Sequence, residues 1–134
     1  MTASNAGLRK SPSKKHRATI IFLRGGKILF VRKRHAKWNL PGGRVEEDET
    51  PVKAAYREMT EETGITLGHV FYISEYKHDD VIHRLFESTI SLPKGPQPRN
   101  EIVECRWLTL QELKGSNVNS SGRPLLKRWM DDAA

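Results

Sequence analysis

The stretch of residues 50–64 constrains the fold more than any other part of this chain, because its punctuation leaves room only for a helix. Thr50 can cap the first turn with its hydroxyl, and Pro51 suits the first helical position, where its missing N–H costs nothing. Gly64 can end the helix in a left-handed conformation. Lys53 stands where a capping box would want Glu or Gln, so that box is incomplete. At about 3.6 residues per turn, Val52, Ala55, Tyr56, Met59 and Thr63 share one face, suited to packing on a sheet. Glu58, Glu61 and Glu62 follow the i, i+3, i+4 spacing and cluster on another side.

Sheet material surrounds this helix. Residues 17–24 (RATIIFLR) are β-branched and read as a strand, and Gly25-Gly26 turns the chain into a second strand, residues 27–33 (KILFVRK). Residues 38–43 (WNLPGG) form a short extended piece, since Pro41 disfavours helix before it and the glycines permit unusual dihedrals. After the helix, residues 66–76 and 81–92 read as strands around a polar turn, Lys77-His78-Asp79-Asp80. Residues 92–100 are proline-rich and read as a loop, residues 102–108 as a strand, and residues 110–114 and 124–131 as helices joined by a Gly/Ser/Asn-rich linker. The order predicts one mixed α/β domain without repeats. At 134 residues it is large enough for a core without disulfides, and the single cysteine, Cys105, is expected to pack in its apolar strand.

Charge narrows the class of partner. The net charge is +7, but Arg9, Lys10, Lys14, Lys15 and Arg17 supply five of those charges, leaving +2 from Ala18 onward. Residues 1–16 have almost no apolar side chains and are expected to form a disordered, solvated basic tail ahead of a domain spanning 17–134. No zinc-finger, aromatic RNA-binding or heptad pattern supports a nucleic-acid role. The longest apolar run, Ile20-Ile21-Phe22-Leu23, is far short of a membrane span, and the N-terminus lacks a secretory apolar core. A cytoplasmic setting, as a monomer or homodimer, is the expectation.

Three like charges on one helix side repel, and Glu61 and Glu62 sit in the last turn, where the helix dipole disfavours anions. A solvated acidic face is one account of them. A hard divalent cation is the other, because clustered oxygen ligands suit Mg²⁺ or Mn²⁺. The Gly42-Gly43 turn can offer backbone groups nearby, and Arg57 can hold Glu49 or another glutamate through a bidentate pair. Spacing alone leaves both accounts open.

Gly43, five residues, Glu49, seven residues, then Arg57-Glu58-Met59-Thr60-Glu61-Glu62-Thr63-Gly64-Ile65 resembles a complete Nudix box, GX5EX7REUXEEXGU, at every fixed position. WNLPGG upstream and NEIVECRWLTLQEL downstream are similar to family surroundings. The resemblance implies an α/β/α sandwich with a mixed sheet, and Mg²⁺-dependent hydrolysis of a nucleoside diphosphate linked to a moiety X. It implies Glu58, Glu61, Glu62 and the Gly42 carbonyl as metal ligands, with Glu58 also a general base in some members. It implies Arg57 and Glu49 as the supporting pair. Where the base comes from a later loop, Glu101 and Glu104 are the candidates, each equally explicable as an edge-strand surface residue. Gly43, Trp38, Arg32 and Arg34 are candidates for substrate binding, Lys37 for steering an anion; Trp38 as core and the basic residues as surface charge are the bland alternatives. His83 and Arg84 are ambiguous in the same way.

Marks of family subgroups are missing. ADP-ribose hydrolases often carry a proline where this chain has Asp80, and dinucleoside polyphosphate hydrolases a tyrosine where it has Ile82. The SQPWPxS-type signature of NADH-cleaving members is absent, and Arg44 follows a pair of glycines rather than the triple of diphosphoinositol phosphatases. Elimination leaves a MutT-like nucleoside triphosphate pyrophosphohydrolase. The alternatives are diphosphoinositol or dinucleoside polyphosphate hydrolysis, or a non-catalytic module that binds nucleotides or RNA.

Overall fold

A computed structural model describes residues 15–89 and 95–133. Most of the expected basic tail, the end of the strand expected to reach residue 92, and the first part of the proline-rich loop lie outside these residues. The elements are β1 (Lys15–Arg24), β2 (Lys27–Lys33), β3 (Gly42–Arg44), α1 (Pro51–Thr63), β4 (Phe71–His78), β5 (Val81–Thr89), β6 (Ile102–Leu108), α2 (Leu110–Leu113) and α3 (Gly122–Ala133). The first strand thus starts two residues before the expected position, with Lys15 and His16 paired to Val81 and Ile82.

The sheet runs β4-β5-β1-β2-β6, and β3 pairs separately with β1. It is mixed: β1 and β5 are parallel from Lys15↔Val81 to Leu23↔Thr89, and the other pairings are antiparallel. Both tight hairpins form where glycine or aspartate tolerates a positive φ, at Gly25-Gly26 (56° and 77°) and Asp79-Asp80 (49° and 63°). On its second edge β1 meets β3 through residues 17–19 and β2 only at residues 23–24. The two neighbours diverge between these points, and a cleft lined by residues of both opens there.

The central strands are apolar without alternation because both faces are covered. Ala18, Ile20, Phe22, Leu29 and Phe86 pack beneath Ala54, Ala55 and Met59 of α1. Ile21, Ile28, Phe30, Leu85 and Leu108 pack on the other face with Leu113 of α2 and Leu125 and Leu126 of α3. The result is the layered helix–sheet–helix arrangement expected from the resemblance.

Two local expectations need correction. The buried residues of α1 are Ala54, Ala55, Met59 and Thr63, while Val52 and Tyr56 are 38% and 36% exposed. The helix is rolled toward its acidic side, a roll that the lack of a side chain at Gly43 allows: a Cβ there would collide with the Glu58 carboxyl. Residues 66–70 are not strand. Ile65 and Leu67 instead enter the core under α1, and the segment is tied to the helix by the Tyr56 hydroxyl donating to the Gly68 carbonyl (2.7 Å) and Thr60 Oγ1 to that of Ile65 (3.2 Å).

Candidate active site

Arg57 organises the acidic end of α1. Its Nε and NH2 donate to the two oxygens of Glu49 at 2.6 and 2.9 Å, a bidentate pair. NH1 donates to Glu58 (3.0 Å) and Glu61 (3.3 Å), and NH2 also reaches the Arg44 carbonyl (3.0 Å), stitching helix to β3. Hydrogen bonding from Arg57 holds the Glu49 carboxyl down at about 2. Glu49 also accepts from the Glu46 backbone N–H (3.0 Å), which closes the loop between β3 and the helix.

Glu62 points the other way, accepting from the Gly42 N–H at 3.1 Å. Burial raises its pKa to about 7, against the opposing influence of that hydrogen bond and of the Arg17 charge. Glu58, Glu61 and Glu62 line one opening, of about 300 Å³, together with Asn100 and Glu101. Among the described residues no three acidic, imidazole or thiol groups already converge as a ligand set. Glu58 and Glu61 are turned onto Arg57 and Glu62 onto the Gly42 N–H. The donor chemistry still fits a hard cation: three carboxylates, one strongly desolvated, beside a glycine turn whose missing Cβ makes room for Glu58.

Glu101 arrives by a route that the sequence does not announce. The last carbonyls of α1 have no partners within the helix. The end of the proline-rich segment supplies them: Gln97 N–H to Thr63 O (3.0 Å), Arg99 N–H to Glu62 O (3.1 Å) and Asn100 Nδ2 to Glu61 O (2.7 Å). Asn100 adopts φ 55°, a left-handed conformation that asparagine tolerates, and delivers Glu101 to the opening. The Glu101 side chain is 77% exposed, with Lys33 Nζ at 3.7 Å.

This opening adjoins a larger cleft of about 450 Å³, lined by Glu58, Glu62, Gly42, Gly43 and Glu101 and, on its basic side, by Arg17, Lys33, Lys37 and Arg44. Of the residues singled out from the sequence, Lys37, Gly42, Gly43, Glu58, Glu61, Glu62 and Glu101 line one or both openings, with Arg57 and Glu49 beside them.

Glu104, Arg32, Arg34 and Trp38 do not line them. Alternation along β6 explains Glu104: Cys105 and Trp107 pack on the α1 side and Leu108 on the other, so Glu104 faces away from the helical glutamates. There it accepts from Arg32 Nε (3.2 Å) and NH2 (2.8 Å) and from Arg106 NH2 (3.2 Å), and the Arg32 bonds lower its pKa. The Arg32 and Arg106 guanidiniums lie over the Trp38 ring, 5.5 and 4.8 Å from its centroid, and Trp38 belongs to the core beneath α3. Arg34 is solvent-facing. The next residue along β2 from Arg32, Lys33, is the one that reaches the cleft.

Arg17, Asn39 and Asn119 were not foreseen at the cleft. Arg17 donates through Nε to Thr19 Oγ1 (3.3 Å) and through NH2 to the Leu40 carbonyl (3.1 Å). Thr19 Oγ1 in turn lies 2.9 Å from Nδ1 of His83. The one signal available was a long cation heading an otherwise apolar strand, and the neighbouring basic tail masks it.

A family model for the NUDIX domain matches residues 14–129. A phosphatase NudJ from Shigella boydii is 35% identical over 105 residues, covering 71% of this chain and 69% of that protein. The phosphatase NudJ of Escherichia coli K12 is 34% identical over the same length. Among solved structures, a nudix hydrolase family member from Chromobacterium violaceum superposes with a TM-score of 0.78 at 25% identity, over 88% of this chain and 77% of the other. A MutT NUDIX hydrolase from Burkholderia pseudomallei shares the fold, with a TM-score of 0.77 at 22% identity over 86% and 97% of the two chains. The complete acidic motif on α1, the layered fold around it and these matches agree, and the chain belongs to the Nudix hydrolase family.

Proposed function

We propose that this hydrolase cleaves a diphosphate linkage in a nucleoside diphosphate joined to a further group, with Mg²⁺ or Mn²⁺ held by Glu58, Glu61, Glu62 and the Gly42 carbonyl. The observation that carries the reading is the adjacency of opposite charges. The carboxylates at the end of α1 open into a cleft whose other wall is Arg17, Lys33, Lys37 and Arg44. A substrate with a strongly anionic centre and a bulkier remainder suits that pairing. When bound, divalent cations neutralise the diphosphate and lower the pKa of a coordinated water.

The chain's own groups do the rest. Arg57 holds Glu49 bidentately and so fixes the loop ahead of α1. Glu58 and Glu61, now hydrogen-bonded by Arg57 NH1, would hold the cation, and Arg57 would then balance charge beside them. Of the two candidate bases on the later segment, Glu101 is favoured over Glu104, because it lines the acidic opening while Glu104 is tied to Arg32 and Arg106. Glu58 remains the alternative base. A nucleoside triphosphate cleaved to monophosphate and diphosphate is the leading substrate. The basic wall gives a second reading some weight, in which the substrate is a diphosphoinositol or another polyphosphorylated small molecule. A non-catalytic binding module is disfavoured by the intact carboxylates. A cytoplasmic enzyme acting on small molecules fits, and no described helix is long and apolar enough to cross a membrane.

The test is a panel of nucleoside triphosphates, oxidised nucleotides, nucleotide sugars, dinucleoside polyphosphates and diphosphoinositols, run with Mg²⁺ and with chelator, products identified by mass. Metal-dependent cleavage of one class, lost in a Glu61→Gln, Glu62→Gln double variant, is expected. Turnover that survives either chelator or the double variant would sink the assignment.

A further inference from the structure

Beside the cleft of about 450 Å³ lies a smaller cavity of about 300 Å³, bordered by His78, His83 and Ser120 among others. The two share three lining residues, Arg17, Asn39 and Asn119, so Arg17 is the one cation common to both walls. A guanidinium has five N–H donors. The described hydrogen bonds of Arg17 use Nε and NH2, and both acceptors, Thr19 Oγ1 and the Leu40 carbonyl, are neutral. Among the described residues it forms no ion pair, although Glu62 and Glu58 are near enough to act on it through space. Its immediate neighbour Ala18 packs beneath α1. By strand alternation the Arg17 side chain leaves β1 on the other face from the helical glutamates, toward the smaller cavity.

Arg17 is half-buried at the junction of the two openings, so an anion can reach its unused donors and complete the site. The contacts to Thr19 and Leu40 hold the fork in place. An anion bound at the remaining donors would supply the missing partner and gain bidentate geometry. Resting on the hydrolase reading above, we propose that Arg17 is the receptor for a second anionic group of the substrate. That group is a phosphate beyond the diphosphate engaged at Glu58, Glu61 and Glu62, and Arg17 thereby selects substrates that carry it. The phosphate is either the third in a linear chain or one attached to the group leaving with the nucleoside or its counterpart.

Calorimetric titration of the full chain in Mg²⁺ tests this with three uncleavable probes. Methylenebisphosphonate mimics the diphosphate alone; its methylene-bridged triphosphate homologue adds a linear phosphate; a methylene-bridged ADP bearing a ribose phosphate adds one on the nucleoside. The expected result is that Arg17→Gln weakens at least one of the two larger probes about tenfold or more and leaves methylenebisphosphonate within about twofold. Arg17→Lys, which keeps the charge without the fork, should recover part of the loss. It is also the variant to rely on if Arg17→Gln lowers the thermal midpoint. Loss on the linear probe alone identifies the in-line phosphate, and loss on the ribose phosphate alone the other source. Equal loss on all three probes, or no loss on any, overturns the inference. If the wild-type chain binds none of the probes in Mg²⁺, the hydrolase reading itself falls, an outcome distinct from binding that ignores Arg17.

Discussion

Glu62 shows the cost of keeping a carboxylate ready for a cation. Burial pushes its pKa from 4.5 to about 7, so the charged form is disfavoured in the metal-free fold. A folded value above the unfolded one means that its contribution to stability is intact below about pH 4.5 and lost as the pH rises through 7. Glu62→Gln removes that charge and keeps an acceptor for the Gly42 N–H. In chelator at pH 8 it should stabilise the protein by about 1–3 kcal/mol, read from urea midpoints, while removing metal-dependent turnover. An unchanged or lowered midpoint would show that the carboxylate is not strained by burial. At this scale the motif residues were legible because their identities and spacing travel together along one helix. Glu101 and Glu104 were not separable, since both are acidic residues at one end of the same strand. Only the side of the sheet that each faces distinguishes them.

At the scale of elements, the helix owes its acidic end to a segment distant in sequence. Gln97, Arg99 and Asn100 satisfy the carbonyls of Thr63, Glu62 and Glu61, and the same segment ends in Glu101. Asn100→Ala removes one of these bonds and places alanine at φ 55°. It should cost about 1–2 kcal/mol in stability. If Glu101 works from this loop, turnover should fall by more than the folded fraction does. Comparing kcat with urea midpoints separates the two effects: a loss of stability with kcat unchanged would remove Glu101 from the chemistry. The proline-rich stretch reads as a loop from composition. Its capping role does not, because backbone donors look alike in every sequence.

At the scale of the molecule, His83 of β5 is tied to Thr19 of β1 across the middle of the sheet. It is 5% exposed, and burial, reinforced by the charges of Arg17 and His78, holds its pKa down at about 4 against an ordinary 6.5. The unfolded chain therefore takes up a proton that the fold refuses, and stability falls as the pH drops from about 6.5 to about 4, by at most about 3 kcal/mol. Glu49 loses its contribution only below about 4.5, and Glu62 acts in the opposite sense across the window. The clean comparison is thus Glu62→Gln against Glu62→Gln, His83→Gln between pH 6.5 and 4.5. Urea midpoints should fall with pH in the first and stay nearly level in the second; parallel slopes would exclude His83 as the source.

The sequence by itself determined α1 and its caps, the two hairpins, the mixed α/β class and the acidic motif, although Lys77 and His78, expected in the second turn, are paired strand residues of β4. Each of these depends on residues close together in the chain, where propensity, periodicity and spacing act directly. Tertiary structure alone decided the roll of α1 that exposes Val52 and Tyr56, the burial of Ile65 and Leu67, the removal of Arg32, Trp38 and Glu104 from the cleft, and the arrival of Arg17 in it. Those outcomes follow from which strand lies beside which and which face each turns to the helix. The cleft opens where β2 and β3, paired to different parts of the same edge of β1, part from each other, and no local pattern records that pairing.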